Sequence, residues 1–250
     1  GEGGSISPNG ASLVSSGESK GYRVSANDGW RIKDVLVDGG SVGTREDYTF
    51  SNVTSDHSIE ASFQKIWKVK FVDGITGEVL KEQVVDAGSS AEAPQEPSHD
   101  GYRFAGWDGD FSHVGGDLTI TSRHEPVISV RVPALLPCKI MADGSVVVPE
   151  DYAIENLSVV PVRATRIETS GTPQDAAYEL RDGDTIVHSW SSTDEPASPL
   201  LIDANASKRL EVKISNVSGD GPWRKLAEKA ATSGSAEDFC KITYTFEAAS

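Results

Sequence analysis

No stretch of about 18 apolar residues occurs in these 250 residues, so no helix of this chain is expected to span a bilayer. Basic side chains are scarce: 23 Lys plus Arg face 38 Asp plus Glu, for a net charge of −15, with the acids scattered rather than blocked. Such a field repels phosphate backbones and anionic headgroups, which sets nucleic acid and membrane surfaces aside as partners. Metal-ligating residues are thin as well. The two Cys and five His (His57, His99, His113, His124, His188) show neither Cys-X2-Cys nor His-X3-His spacing, so no metal is expected. Asp108-Gly109-Asp110 and Asp182-Gly183-Asp184 do not continue into a calcium loop and read as solvated turns. Gly-X-Ser-X-Gly, His-Glu-X-X-His and a phosphate-cradling loop are all missing. Glu150-Asp151 near Glu155 carries no sign of pairing across a cleft. The reading is therefore of a protein that is not an enzyme and needs no cofactor.

What is present is alternation of period two, the mark of half-buried strands. With 37% hydrophobic residues the chain is a folded one, and at roughly 100–200 residues per domain its length allows two or three domains. The opening Gly1-Glu2-Gly3-Gly4, without an initiator Met, reads as the start of an excised fragment or mature piece. Tyr22, Val24 and Ala26 alternate, then Val35 and Val37, then Ile59, Ala61 and Phe63. Turn sequences Pro8-Asn9-Gly10, Asn27-Asp28-Gly29 and Asp38-Gly39-Gly40 separate them. After a short link at Gln64-Lys65-Ile66, a second unit starts with Trp67, Val69 and Phe71 on one face. It runs through a hairpin loop at Asp73-Gly74-Ile75-Thr76-Gly77, a strand to Val85, and strands at Tyr102–Trp107 and around Leu118 and Ile120. Two prolines in Ala91–Pro97 exclude a central strand there and predict a helical turn or an extended crossover. From Val127 onward many short strands predict a β-sandwich. One helix interrupts it, opening at Pro222, with Trp223, Leu226, Ala227 and Ala230 as its stripe and Gly234 past its end. The expected fold is mainly β: a module over 1–64, a second over 65–126 and a sandwich with one short helix over 127–250. Short links at 64–66 and 125–127 imply limited bending.

Two of these segments carry family resemblances. The order Gly3-Gly4-Ser5-Ile6-Ser7-Pro8-Asn9-Gly10, Ile32–Gly39, Tyr48–Thr54 and Asp56–Phe63 resembles the divergent B-repeat-like modules of large bacterial surface proteins, over residues 3–63. Val69–Asp73, Ala93-Pro94, Gly101–Trp107 and Asp110–Ile120 resemble the internalin-type B-repeat, the Listeria–Bacteroides repeat. That second resemblance implies a β-grasp-like spacer or protein-interaction module with no catalytic residues. The third segment is similar to sandwich domains of Gram-positive secreted proteins through Val132-Pro133, Ala142–Val146, Tyr152–Asn156 and Ile242–Phe246. These phrases recur widely, and no function is transferred from them.

Few side chains stand out as sites. Period two puts Cys138 on the face of Ile140, and Cys240 on that of Ile242, Tyr244 and Phe246, so both thiols are expected in one core. A bridge between them would close a loop of about 100 residues and add roughly 4–5 kcal/mol in the chain-entropy model. Two buried, inert thiols are the alternative. The sequons at Asn52, Asn156, Asn205 and Asn216 read as turn residues rather than glycan acceptors. Trp190, flanked by Ser189, Ser191 and Ser192, is the candidate platform for stacking a sugar, while Trp30, Trp67 and Trp107 read as core and Trp223 as the buried face of the helix.

Together these features predict a monomeric, non-catalytic segment of a bacterial, Gram-positive cell-surface or secreted protein. It would act outside the cell as a modular stalk and adhesin-like region, binding a host or matrix protein or another surface protein. A carbohydrate-binding accessory region of a surface enzyme is the alternative.

Overall fold

The computed structural model describes residues 2–136, 138–141, 146–148, 150–170, 177–189, 196–215, 221–233 and 241–249. It is mainly β with one short helix, and it divides into two compact units, residues 1–98 with 104–124 and residues 99–103 with 125–250. No described helix is long and apolar enough to cross a membrane.

The first unit contains β1 (Gly4–Ser7), β2 (Lys20–Ala26), β3 (Trp30–Val37), β4 (Gly40–Ser41), β5 (Asp47–Phe50), β6 (Ile59–Val72) and β7 (Val79–Asp86), with most of β8 (Tyr102–Trp107) and β9 (Leu118–Pro126). Strands β1, β2 and β5 form a small antiparallel sheet in the order β1-β2-β5. The larger sheet runs β4-β3-β6-β9-β8, with β7 also paired to β6. The residues read as a link, Gln64-Lys65-Ile66, are the middle of β6, which runs unbroken for 14 residues. Its first half pairs antiparallel with β3, from Val37↔Ile59 to Trp30↔Lys65. Its second half pairs antiparallel with β7 and parallel with β9. No helix forms between β7 and β8, so the proline-bearing stretch is an extended crossover.

One face of β6 supplies core residues along its length. Side chains on a strand alternate, so Ile59, Ala61, Phe63, Lys65, Trp67, Val69 and Phe71 share a face. Phe63 packs on the backbone of Gly3 and Gly4: a Cβ on Gly4 would stand 2.3 Å from its ring, so only glycine fits. Val35, opposite Ala61, is fully buried. Farther along, buried Val69 and Phe71 join Ala91, Val114 and Ile120 in a second cluster. Phe71 meets Trp107 and Phe111 edge-on, with ring centres 5.1 and 5.2 Å away. Lys65, the charged member of the stripe, lies between two indoles, its Nζ 5.3 Å from the Trp30 ring centre and 4.7 Å from that of Trp67. Trp30, Trp67 and Trp107, read from the sequence as core, are partly buried packing residues.

The second unit holds β10 (Val130–Arg131), β11 (Lys139–Ile140), β12 (Val146–Val147), β13 (Ala153–Asn156), β14 (Val162–Ser170), β15 (Ala177–Asp182), β16 (Thr185–Ser189), β17 (Leu200–Ile202), β18 (Ser207–Arg209), β19 (Glu211–Ser215), α1 (Pro222–Ser233) and β20 (Lys241–Ala248). Three-stranded sheets β17-β14-β20, β16-β15-β19 and β10-β13-β18 share one buried core, the layering expected of a sandwich. Ile154, Val162, Ile167, Leu180, Leu200 and Val212 are at its centre. Leu210 separates β18 from β19: it is buried, and its N–H donates to Tyr152 O at 2.8 Å. The chain changes sheets at that residue.

Asn156 fastens the loops beside this core. Its Nδ2 donates to the carbonyls of Val160, Ile202 and Asp203 at 2.9, 3.2 and 2.9 Å, and its Oδ1 accepts the Ser158 N–H at 2.9 Å. At 1 % exposure it is no glycan acceptor. Asn52 and Asn205 sit at φ of 52° and 51°, the left-handed turn conformation that Asn tolerates, while Asn216 lies outside the described residues. Asn156→Ala removes donors from three carbonyls and the acceptor of one amide. It is expected to cost roughly 2–4 kcal/mol, read as a lower urea midpoint with an unchanged slope.

Candidate interaction surface

The features singled out in the third segment meet the structure unevenly. Cys138 is a free thiol, half-buried, with its Sγ 3.5 Å from the Leu136 carbonyl. It precedes β11, whose partner is β12, whereas β20 pairs with β14. Strands β11 and β20 therefore do not pair among the described residues, and Cys240 itself lies outside them. Trp190 also lies outside the described residues. Helix α1 begins at Pro222 as the sequence predicts.

In the first unit, a turn is held by a carboxylate. Asp38 sits at φ 51°, and its Oδ1 accepts the Ser58 N–H at 2.7 Å while its Oδ2 lies 2.7 Å from His57 Nδ1. The His57 ring in turn stacks on Phe50, which meets Tyr22 and Tyr48 edge-on. The Ser58 amide first, and His57 second, hold the Asp38 carboxyl below its ordinary range.

A cleft of about 570 Å³ opens between β2 and β3. The two strands are joined by the tight Asn27-Asp28-Gly29 turn, yet they pair in different sheets and form no ladder with each other. Arg23 and Ala26 line one wall, Arg31 and Ile32 the other, and Thr44 and Glu46 close the end. The closing segment is pinned to both walls: Val24 N–H donates to Glu46 O at 2.6 Å and Val35 N–H to Gly43 O at 3.1 Å. The backbone leaves both edges open at the mouth. Val24 turns its N–H toward β5 and the 42–46 segment, so by alternation Ala26 faces that side too, beyond the end of β5. On the other wall, Gly29 O accepts from Ile66 N–H, so residues 29 and 31 face β6, and Ile32 faces away from it. Among the described residues no strand pairs with Ile32 on that side. Arg31 meets Asp86 at 2.5 Å, while Arg23 forms no ion pair among the described residues although Asp47 stands opposite it. Sequence reasoning misses this site, because it assigns β2 and β3 as strands without saying that the turn between them fails to zip a hairpin.

The chain matches no family model, no curated protein and no solved structure.

Two titrations follow from these groups. Burial pushes the Cys138 thiol up, so less thiolate is available near neutral pH. Cys138 is expected to alkylate in the native protein without reductant, more slowly than after denaturation; labelling that requires reductant would restore the bridge. For Asp38 the folded carboxyl lies below its unfolded value, so its stabilisation is complete above the ordinary Asp range and disappears as pH falls through the folded value. Asp38→Asn, which tolerates the same φ, is expected to lower the thermal midpoint at pH 7 and to leave it unchanged in strong acid.

Proposed function

We propose that this chain is a non-catalytic segment of a bacterial cell-surface or secreted protein, working as a stalk and protein-interaction region outside the cell. The observation that carries the proposal is the unbroken strand β6, which pairs with β3 in its first half and with β7 in its second. A flexible joint would let two such modules swing independently. A shared strand of 14 residues, roughly 45 Å at about 3.3 Å per residue, instead couples them through backbone hydrogen bonds on both halves. The Lys65 ammonium between Trp30 and Trp67 ties the side chains across the junction. The resemblance of residues 3–63 and 66–125 to B-repeat modules of surface proteins supports the same reading. The acidic surface, at net −15, suits a protein that stays clear of anionic headgroups. The carbohydrate-binding alternative depends on Trp190.

The test is backbone ¹⁵N relaxation and residual dipolar couplings on the full chain. Residues 3–63 and 66–98 are expected to share one alignment and one rotational diffusion tensor, and separate tensors would remove the stalk reading. Lys65→Met, which keeps the aliphatic packing, is expected to lose about 1–2 kcal/mol of stability through the two cation–π contacts. A stability loss in Lys65→Ala no larger than in Lys65→Met would assign the effect to the charge rather than to packing.

A further inference from the structure

We infer that the cleft between β2 and β3 receives an extended acidic segment of a partner polypeptide, its main chain laid along the open edge at Ile32 and its carboxylates on Arg23 and Arg31. The inference rests on the protein-interaction part of the proposed function and names the class of partner. Three observations converge on it. The volume, about 570 Å³, falls in the range of roughly 300–1,000 Å³ typical of ligand sites. Both walls are strand edges, and an edge whose N–H and C=O groups face an open cleft is a template for an added strand, with main-chain hydrogen bonds giving affinity and side-chain contacts giving specificity.

The third observation is charge. Arg23 forms no ion pair among the described residues, in a chain that carries 38 carboxylates. Arg31 meets Asp86 through one terminal nitrogen, which leaves guanidinium donors for a second acceptor. Guanidinium–carboxylate contacts are charge-assisted and often bidentate, and they favour Asp or Glu over neutral side chains. The Thr44 hydroxyl adds a neutral donor, and Glu46 at the closed end excludes a carboxylate from that position. The chain's net charge opposes an acidic partner at long range. That field is screened over about 8 Å at physiological ionic strength, whereas the arginine contacts form at hydrogen-bond distance.

The experiment titrates the full chain, observed by ¹H–¹⁵N spectra, with two acetylated and amidated pentapeptides: Thr-Asp-Val-Asp-Thr and its neutral counterpart Thr-Asn-Val-Asn-Thr. The acidic peptide is expected to move the amide signals of Ala26 and Ile32, and to bind about tenfold more tightly than the neutral one, the effect of one charge-assisted contact. Arg23→Gln, at an exposed position, is expected to abolish most of that difference, while Arg123→Gln on β9 leaves it intact. Absence of any response at millimolar peptide, equal affinity for the two peptides, or signals moving only outside the cleft would each overturn the inference. Sodium acetate reproducing the whole response would overturn it too, by showing carboxylate binding without strand addition. Any of these results alongside common tumbling of residues 3–63 and 66–98 would remove this inference alone and leave the stalk reading in place.

Discussion

Everything in the first unit depends on the parity of one strand. Because side chains on β6 alternate without a bulge in β6 itself, Phe63, which packs on Gly4, and Phe71, which packs on Trp107, belong to a single row. Irregularities are displaced onto its partners, between Ile32 and Asp34 on β3 and between Val79 and Lys81 on β7. The strand itself stays regular, and the extra residues fall on its neighbours. Lys65 shows what this costs: at the point where the two cores meet, the row carries a charge, and two indole faces accommodate it.

The cleft is the counterpart of that arrangement. Strand β3 is committed to β6 and β2 to β1 and β5, so the Asn27-Asp28-Gly29 turn connects strands of two different sheets. A tight turn usually zips the strands beside it, but here β3 pairs with β6 while β2 pairs with β1 and β5. The open edges at Ala26 and Ile32 are what remains, and Arg23 and Arg31 line the same cleft.

Much of the fold is legible in the residues. The alternations at Tyr22–Ala26, Trp67–Phe71 and Ile242–Phe246 correspond to strands, and Pro222 marks the start of α1. Asn52 and Asn205 are turn residues because a left-handed φ suits their side chains. The junction is where the reading stops short. Gln64, Lys65 and Ile66 are not a strongly alternating apolar set, so composition marks them as a link; only the pairing of Lys65 with Trp30 and of Ile66 with Asp86 makes them a strand. A related limit applies to Cys138, a free thiol. Period two predicts which face a residue takes within its strand, but not which strands lie side by side, and β11 pairs locally with β12. The cleft is invisible to periodicity altogether, since it is defined by a ladder that β2 and β3 do not form.

The shared strand also constrains how this molecule can change over evolutionary time. A one-residue insertion or deletion between Phe63 and Trp67 would invert one half of β6 with respect to the other, exchanging its apolar row for Glu60, Ser62 or Lys68 and Lys70. Length changes at this joint are therefore admissible only in pairs, and even a pair would carry Lys65 away from one of its indoles. Length changes that keep this fold therefore belong in the turns and the extended crossover, and leave β6 whole.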